Sequence, residues 1–339
     1  MRKVKQATIK DVSKLAGVGI STVSRYTNKS GYVSEEISKR IAAAIQELGY
    51  IPSNYARILK GSTTKMMNLI VPDITNPYYA EMYSAVQEMA EEQDYYVYLY
   101  QSKSIEKNEL KAIKESENMS SDALIFCSEK RSERVLEYLK GIGIPTVVSN
   151  LYNDVYFDTI CSEDGRGIYL MTKYLIEQGH RKIGYAGGSS DSHINIKRKG
   201  GYQRALEEHL IELNEEYIFE MDFSVGAGFR AGKYFTTVYD RPTAICAAND
   251  LIALGVITGL LEQSIRVPED ISVTGEDNIE LGGIWRPSLT TVENSGKEFG
   301  QRACRMIFDR LLDGYDGEAR VIQTERNIIE RKSSRKLLA

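Results

Sequence analysis

Cysteine, histidine and long apolar runs are scarce in this 339-residue chain. The four cysteines are scattered without a CxxC pair, and the three histidines are not at metal-ligand spacings. We therefore expect no disulfide, no metal site and no cofactor. The N-terminus lacks the apolar segment of a signal peptide, and no run of about 18 apolar residues follows, so we expect a soluble, cytoplasmic protein.

The motifs of common nucleotide-binding and hydrolytic enzymes are also missing. There is no P-loop, no GxSxG elbow and no GxGxxG sequence opening a helix, and the glycine clusters at residues 187–190 and 226–228 stand alone. We expect that the protein is not an enzyme. Because α/β folds host many chemistries, turnover of a bound ligand would support the alternative.

Charge is distributed unevenly along the chain. Residues 1–65 contain 12 Lys or Arg against 4 Asp or Glu, which leaves 31 against 43 for the rest. A basic head on an acidic body suits nucleic-acid binding, because basic side chains that neutralise phosphates release condensed counterions. A simple basic tail is the alternative on charge alone.

Two short helices are predicted near the N-terminus. Thr8 and Asp11 have the spacing of a capping box, and the apolar residues Val12, Leu15 and Ala16 follow on one face, so a helix is expected from Ile9 to Ala16. Gly17 supplies a tight turn, and a second helix is expected over residues 20–28. Two helices joined this closely form a helix-turn-helix.

A third helix completes the head. Ser34 is its predicted N-cap, Glu35 and Glu36 lie in its first turn, and Gly49 is its stop signal. Its apolar stripe comprises Ile37, Ile41, Ile45 and Leu48. This stripe is expected to close a three-helix core and leave the second helix free to enter a major groove.

Arg25 is the best candidate for reading bases, with Ile20 and Ser21 beside it. A guanidinium can bond bidentately to guanine, which discriminates against a wrong base by roughly 1–3 kcal/mol. The alternative role for Arg25 is a phosphate clamp.

The head resembles that of the lactose and galactose repressor (LacI/GalR) family. The resemblance is carried by the sequences at residues 8–12, 22–25 and 48–52. It implies a DNA-binding domain over 1–52, a hinge helix over 53–61 that folds on operator DNA, and a core over 62–339. The implied DNA contacts are Thr8, Ile20, Ser21, Thr22, Ser24, Arg25, Asn28, Tyr50, Ala56, Leu59 and Lys60.

In the family's hinge helix a leucine wedges into the minor groove, and by motif match that leucine is Leu59. An apolar wedge unstacks a base step and bends the duplex, which fits this position. Packing of Leu59 on the core is the alternative. The chain departs from the family pattern at Gly19, where a serine N-cap is usual, but glycine caps only slightly less well.

The body alternates apolar strand-like runs with amphipathic stretches, a pattern that indicates parallel sheets built of βαβ units. The predicted strands are 68–71, 96–100, 124–127, 146–148, 182–186, 244–247 and 271–274, with another near Phe219. The body also resembles the family's core through the motifs at 71–79, 179–184, 248–250 and 266–273.

The fold class is therefore α/β, with an all-α helix-turn-helix head and a two-lobed core like that of periplasmic binding proteins. The resemblance implies an N-lobe of about 66–165 and 295–320, and a C-lobe of about 166–294 and 321–335.

In such sheets a ligand binds beyond the carboxyl ends of the strands. The residues expected to line this effector cleft are Tyr78, Tyr79, Phe223, Asn249, Asp277 and Trp285. The resemblance adds Arg198, which precedes Gly201 and Tyr202 at the place where the family has a ligand-binding arginine. Of the adjacent tyrosines, one is expected to face the cleft and the other to pack. The other residues have alternative roles: Arg198 could pair with an acidic neighbour, and Asp277 could cap a turn. Trp285 could fill the core instead of contacting the ligand.

Aromatic faces combined with Arg, Asn and Asp suit a polyhydroxylated ring, so the expected effector is a sugar or sugar phosphate. Ser192 and Ile194 stand where purine-responsive relatives would place polar contacts, which lowers the expectation of a purine. The resemblance further implies a repressor that binds a pseudo-palindromic operator as a homodimer under allosteric control. A phosphoprotein co-regulator is an open alternative, and the short C-terminal end lacks the heptads of a tetramerising bundle.

Overall fold

The structure is a computed structural model, and it describes residues 7–27, 31–50, 63–149, 156–161 and 165–337. The chain divides into two compact units, Met1–Thr64 and Lys65–Ala339. The predicted hinge helix 53–61, with Ala56, Leu59 and Lys60, lies outside the described residues, and so does the predicted DNA contact Asn28.

The described part of the head contains the helices α1 (Ile9–Ala16), α2 (Ile20–Thr27) and α3 (Glu35–Leu48). The capping box at the start of α1 is confirmed: the Thr8 amide donates to Asp11 Oδ2 at 2.8 Å, and the Asp11 amide donates to Thr8 Oγ1 at 3.4 Å. These bonds satisfy amides that the first turn leaves without partners.

Two expectations for the head need correction. Ser34 stands at the N-cap of α3 with extended backbone, but its hydroxyl makes no capping bond. The acidic first turn still favours the helix through the positive end of its dipole. Leu15 is 46% exposed, whereas Val12 and Ala16 are buried with Ile41 of α3, because the 3.6-residue period turns position 15 away from the other two.

The core contains two six-stranded sheets in the described residues. The N-lobe sheet has the order β11-β5-β4-β3-β1-β2 with parallel pairing throughout. Its strands are β1 (Met66–Val71), β2 (Tyr96–Gln101), β3 (Ala123–Phe126), β4 (Thr146–Ser149), β5 (Asp158–Cys161) and β11 (Val321–Gln323).

The C-lobe sheet has the order β12-β10-β9-β8-β6-β7, and β12 is antiparallel to β10. The other strand pairs of this sheet are parallel. Its strands are β6 (Ile183–Gly187), β7 (Ile218–Glu220), β8 (Ala244–Ala247), β9 (Ser272–Asp277), β10 (Thr290–Glu293) and β12 (Ile328–Ile329).

Helices pack on these sheets around one buried apolar cluster in the C-lobe and two in the N-lobe. They are α4 (Pro77–Glu91), α5 (Glu106–Asn118), α6 (Glu133–Gly141), α7 (Arg166–Glu177), α8 (His193–Glu208), α9 (Val225–Thr237), α10 (Asp250–Glu262), α11 (Glu280–Ile284) and α12 (Gly296–Leu311). Among the described residues, none of the helices has both the length and the apolar character needed to cross a bilayer.

The chain passes between the lobes three times: after β5, after β10 and after β11. The predicted division placed residues 321–335 in the C-lobe, but β11 pairs with β5 and belongs to the N-lobe sheet. The third crossover therefore lies after Gln323. The strand pattern predicts seven strands to within three residues at each end and another near Phe219, but it does not single out β5, β10, β11 or β12.

Candidate functional site

The outer face of α2 presents the side chains predicted to read DNA. Ile20 is 44% exposed, and Ser21 and Arg25 are exposed with it, while Val23 on the opposite face is buried in the head. Thr22 and Ser24 are half-buried on the flanks. This helix therefore offers a short polar edge with one guanidinium at its C-terminal end.

Two further predicted DNA contacts have structural roles in the head. The Thr8 hydroxyl donates to Asp11 Oδ2 at 2.7 Å as part of the α1 cap. Tyr50 is half-buried and packs against the apolar cluster of the head. Thr8 remains exposed, so its capping role does not remove it from the surface.

A cleft of about 1060 Å³, including the space open to solvent, lies between the lobes of the core. Residues from both sheets line it beyond the carboxyl ends of the strands, which is where open α/β sheets bind ligands. The predicted residues among its lining are Tyr78, Tyr79, Arg198, Phe223, Asn249 and Asp277.

Tyr78 and Tyr79 both line the cleft, but Tyr79 is also buried in the apolar core of the N-lobe, whereas Tyr78 is half-buried. They stand in the first turn of α4, which begins because the Asn76 side chain caps the Tyr78 amide at 3.1 Å and Pro77 occupies the first turn. The two rings meet edge to face at 5.1 Å. Burial raises the pKa of both phenols, so they act as neutral hydrogen-bonding groups.

Arg198 projects from α8, and its guanidinium lies close to two other predicted site residues, Asp277 and Phe223. Its guanidinium donates to the Ala248 carbonyl at 2.8 Å and to Glu276 Oε1 at 3.1 Å, and Asp277 Oδ1 lies 3.5 Å away. The Phe223 ring centroid is 5.9 Å from it. Arg198 therefore lines the cleft and is also paired with acidic neighbours.

Asp277 ends β9 with a backbone φ of +129°, a conformation that a non-glycine residue adopts only under constraint. The Asn294 amide donates to Asp277 Oδ1 at 2.9 Å. Burial raises the pKa of Asp277 to about 7, and Arg198 acts against that rise. Asn249, which also lines the cleft, uses its side-chain oxygen to cap α10 through the Ile252 amide at 2.9 Å.

Trp285 is not part of the cleft lining, which corrects its prediction as an effector contact. It is half-buried and packs on the C-lobe core, because it directly follows α11 and lies eight residues beyond the end of β9. Ser192 is also absent from the lining. Its hydroxyl caps α8 and donates to the Glu129 carbonyl, while Ile194 does face the cleft.

The cleft contains charged residues that sequence reasoning missed. Glu276, Glu129 and Arg326 all line it. Burial raises the pKa of Glu129 to about 7. Glu276 could have been predicted as a site residue because it directly precedes Asp277 in the sequence. Glu129 and Arg326 lie in loops, and no local sequence pattern indicates that these loops meet at the cleft.

The two lobes also touch directly across the cleft. Lys130 Nζ lies 2.5 Å from Asp191 Oδ2, and the Glu129 carbonyl accepts from the His193 amide at 2.9 Å and the Ser192 hydroxyl at 3.2 Å. We call residues 129–130 and 191–193 the cross-cleft clasp. Glu129 follows β3 and Asp191 follows β6, and neither strand is directly followed by a crossover, so the clasp is a contact between the lobes that is separate from the crossovers.

No three His, Cys, Asp or Glu side chains of the described residues group as metal ligands. Cys127 and Cys161 line the cleft, and burial raises the pKa of the Cys127 thiol to about 12. The Cys127 thiol is therefore kept in its unreactive protonated form.

Comparisons with known proteins agree with this architecture. Residues 8–53 match the family described as "Bacterial regulatory proteins, lacI family", and residues 172–334 match "Periplasmic binding protein-like domain". The chain is 35% identical over 335 residues to the HTH-type transcriptional repressor PurR of Aliivibrio salmonicida, covering 98% of the chain and 100% of that protein. It is 36% identical over 334 residues to the PurR repressor of Vibrio atlanticus, covering 98% and 99%.

Solved structures show the same fold. The Lac repressor dimer bound to operator and the anti-inducer ONPF aligns with a TM-score of 0.85 at 23% identity, over 98% of the chain and 100% of that chain. A complex of the transcriptional regulator CelR with cellobiose aligns with a TM-score of 0.72 at 26% identity, over 96% and 99%.

Proposed function

Since the chain belongs to the LacI family of bacterial regulatory proteins and is a DNA-binding transcriptional repressor, we propose that a small polar effector in the core cleft controls its hold on a pseudo-palindromic operator. The observation that carries this proposal is the cleft itself, which joins aromatic and polar side chains from both lobes. The curated relatives are repressors and not enzymes.

The effector we propose is a sugar or a sugar phosphate. Tyr78, Tyr79 and Phe223 offer apolar faces, while Arg198, Asp277 and Asn294 offer donors and acceptors at the same cleft. Sugars need this combination, because their C–H faces stack on rings and their hydroxyls both donate and accept. The solved structure of CelR contains cellobiose, which supports a sugar in a cleft of this fold.

A purine is the second candidate, because the same aromatic faces suit a planar ring. Two features weigh against it. The Ser192 hydroxyl is engaged in capping α8 and in the cross-cleft clasp, and Ile194 brings an apolar side chain to the cleft wall.

At the operator, we propose that two copies of the chain place α2 in successive major grooves, with Arg25 contacting a base edge. Leu59 would wedge into the minor groove between them, with Ala56 and Lys60 beside it. Effector binding would shift the equilibrium between two lobe arrangements, and coupling of roughly 1–3 kcal/mol is enough for a 5- to 150-fold change in operator affinity.

Selection from random duplex DNA with the full chain tests the DNA half of the proposal. Replacing Arg25 by Ala should relax the selected sequence at one position in each half-site, and replacing Leu59 by Ala should weaken binding without unfolding the core. Gln46→Ala, on the exposed side of α3, is the matched control. Unchanged operator affinity of the Leu59 variant in fluorescence anisotropy would refute the wedge.

Thermal shifts of the full chain with sugars, sugar phosphates and purines test the effector. A ligand at 100 times its Kd stabilises the folded state by roughly 2.7 kcal/mol. A selective shift with one class identifies the effector, while no shift with any class points to another ligand class or to control by a protein partner.

Light scattering should show a dimer, and a stable tetramer would contradict the proposed assembly.

A further inference from the structure

The positive charge of Arg198 is already compensated inside the cleft. Its guanidinium lies 3.1 Å from Glu276 Oε1 and 3.5 Å from Asp277 Oδ1. The three side chains are only 13%, 5% and 6% exposed, in the order Arg198, Glu276, Asp277. Water therefore screens these interactions poorly, and the pairing governs the local potential.

Glu276 serves a second guanidinium as well. Arg326 Nε lies 4.0 Å from the same Oε1 atom, and the Arg326 side chain is 8% exposed. The other oxygen, Oε2, is buried and has no hydrogen-bond partner. Among the described residues, the Glu276 carboxylate therefore interacts with the two guanidinium groups and accepts no hydrogen bond at Oε2.

The position of this carboxylate is restricted by packing. A Cβ atom placed on Gly167 would lie 2.5 Å from Glu276 Oε2, so the carboxylate fills the space that a side chain at that position of α7 would occupy. It cannot retreat toward α7 when a ligand enters. Packing against α7 therefore limits the movement of the Glu276 carboxylate on that side.

Acidic and basic side chains are equal in number along the described cleft lining. Four acidic side chains face four basic ones. These are Glu129, Glu276, Asp277 and Glu298 against Arg166, Lys197, Arg198 and Arg326.

An anionic ligand placed against Arg198 would come close to Glu276 Oε1, which lies 3.1 Å from the guanidinium, and to Asp277 Oδ1, which lies 3.5 Å from it. The repulsion from Glu276 offsets the attraction to the guanidinium, and Asp277 adds to that repulsion when it is ionised, because all three groups share one poorly screened region. An uncharged ligand has no such conflict. Its hydroxyls can accept from guanidinium N–H groups and donate to carboxylate oxygens.

Building on the proposed function, we infer that Glu276 is a specificity-determining residue that makes the cleft select an uncharged polyhydroxylated effector and reject its phosphorylated form. The effector we expect is therefore a sugar and not a sugar phosphate. Removing the negative charge of Glu276 while keeping the shape of its side chain should convert the cleft into a binding site for anions.

Inorganic phosphate is the probe that tests this inference without knowledge of the natural effector. The full chain is titrated with phosphate at constant ionic strength, and saturable thermal stabilisation is measured. The wild-type protein should show none. Glu276→Gln keeps the oxygen that accepts from Arg198 and removes the charge, so its phosphate affinity should rise by about tenfold or more.

Three variants serve as controls. Glu280→Gln removes an exposed acid on α11 and should behave as the wild type. Arg198→Met combined with Glu276→Gln should abolish the new phosphate response, which would place it in the cleft. Asp277→Asn gives a second way to reduce the negative charge at Arg198 and serves if the Glu276 variant does not fold.

Saturable phosphate binding by the wild type that disappears in Arg198→Met would overturn the inference. Equal absence of binding in the wild type and in folded Glu276→Gln and Asp277→Asn variants would overturn it too, since Glu276 would then not decide the charge preference. None of these measurements contains DNA. A failure of operator binding would therefore leave their outcome unaffected and would count only against the proposed repressor mechanism.

Discussion

Asp277 combines a constrained backbone with a crowded electrostatic environment. Its φ of +129° lies outside the usual range for a residue with a side chain. Its carboxylate faces Arg198, Glu276 and Asp250, and it accepts from Asn294. Such constraint is maintained only where the surrounding structure holds the residue in place, and here the surroundings also alter its protonation.

Replacing Asp277 by Asn should flatten the dependence of stability on pH. Burial raises the pKa of Asp277 to about 7 from an ordinary value of 3.8, so between those values the folded chain holds a proton that the unfolded chain releases. The stability that this proton contributes is present below about pH 4 and is lost as the pH rises through 7.

The measurement is thermal unfolding of the full chain at about pH 5 and about pH 8. The difference between the two midpoints should shrink in Asp277→Asn and stay unchanged in the exposed control Asp313→Asn. Some difference will persist, because burial also raises the pKa of Glu129 to about 7 and of Asp250 to about 6. An identical difference in wild type and variant would show that Asp277 is not a source of the pH dependence.

At the scale of the elements, glycines set how closely α9 and α10 approach. A Cβ on Gly228 would lie 2.0 Å from the Ile252 carbonyl oxygen, and one on Gly255 would lie 2.1 Å from the Val225 carbonyl oxygen. Gly232 and Gly259 repeat the arrangement one turn on. The glycine cluster at 226–228 forms no recognisable catalytic motif in the sequence. Its member Gly228 has a packing role instead.

Gly255→Ala should destabilise the core, because the added methyl group meets backbone and not a flexible side chain. Overpacking of this kind costs typically 1–3 kcal/mol. The matched control is Gly200→Ala in α8, where no atom lies within 4 Å of the added carbon, and where alanine should stabilise the helix by roughly 0.5–1 kcal/mol. Chemical denaturation of both variants measures the difference, and equal stability of the two would contradict the close-packing argument.

For the core as a whole, the lobes are joined by the three crossovers and also by the cross-cleft clasp. The clasp combines the Lys130–Asp191 ion pair with two hydrogen bonds to the Glu129 carbonyl. These contacts link the two lobes directly, in addition to the crossovers. The clasp is therefore placed to influence the balance of open and closed arrangements.

Lys130→Met should shift that balance toward the open arrangement. The pair is 43% and 63% exposed, so its contribution is at the level of surface pairs, about 0.2–1 kcal/mol, which corresponds to a change of up to about fivefold in the ratio of the two arrangements. Distances between spin labels on the two lobes measure it.

The charge-reversed double variant Lys130→Asp with Asp191→Lys should restore the wild-type distance distribution. Lys173→Met, which breaks a similarly exposed pair with Glu177 within α7, is the control. If the distribution is insensitive to Lys130→Met, the ion pair has no part in holding the lobes together.

Much of this protein is determined by its sequence through local interactions. The Thr8–Asp11 cap, the turn at Gly17 and the helix end at Gly49 each depend on residues within a few positions of one another, so the head helices are predictable from spacing alone. The long apolar strands are predictable for the same reason. Arg198 and Asp277 also follow from the sequence, through family motifs and their place after a strand or on a helix.

Only the tertiary structure decided which charges meet. Glu129, Glu276 and Arg326 come from separate parts of the chain and face one cleft because two sheets bring their strand ends together. Short β11 joins the N-lobe by pairing with β5, and Trp285 packs on the C-lobe core instead of lining the cleft. These outcomes depend on contacts between residues far apart in the chain, and no periodicity or capping signal within one segment contains that information.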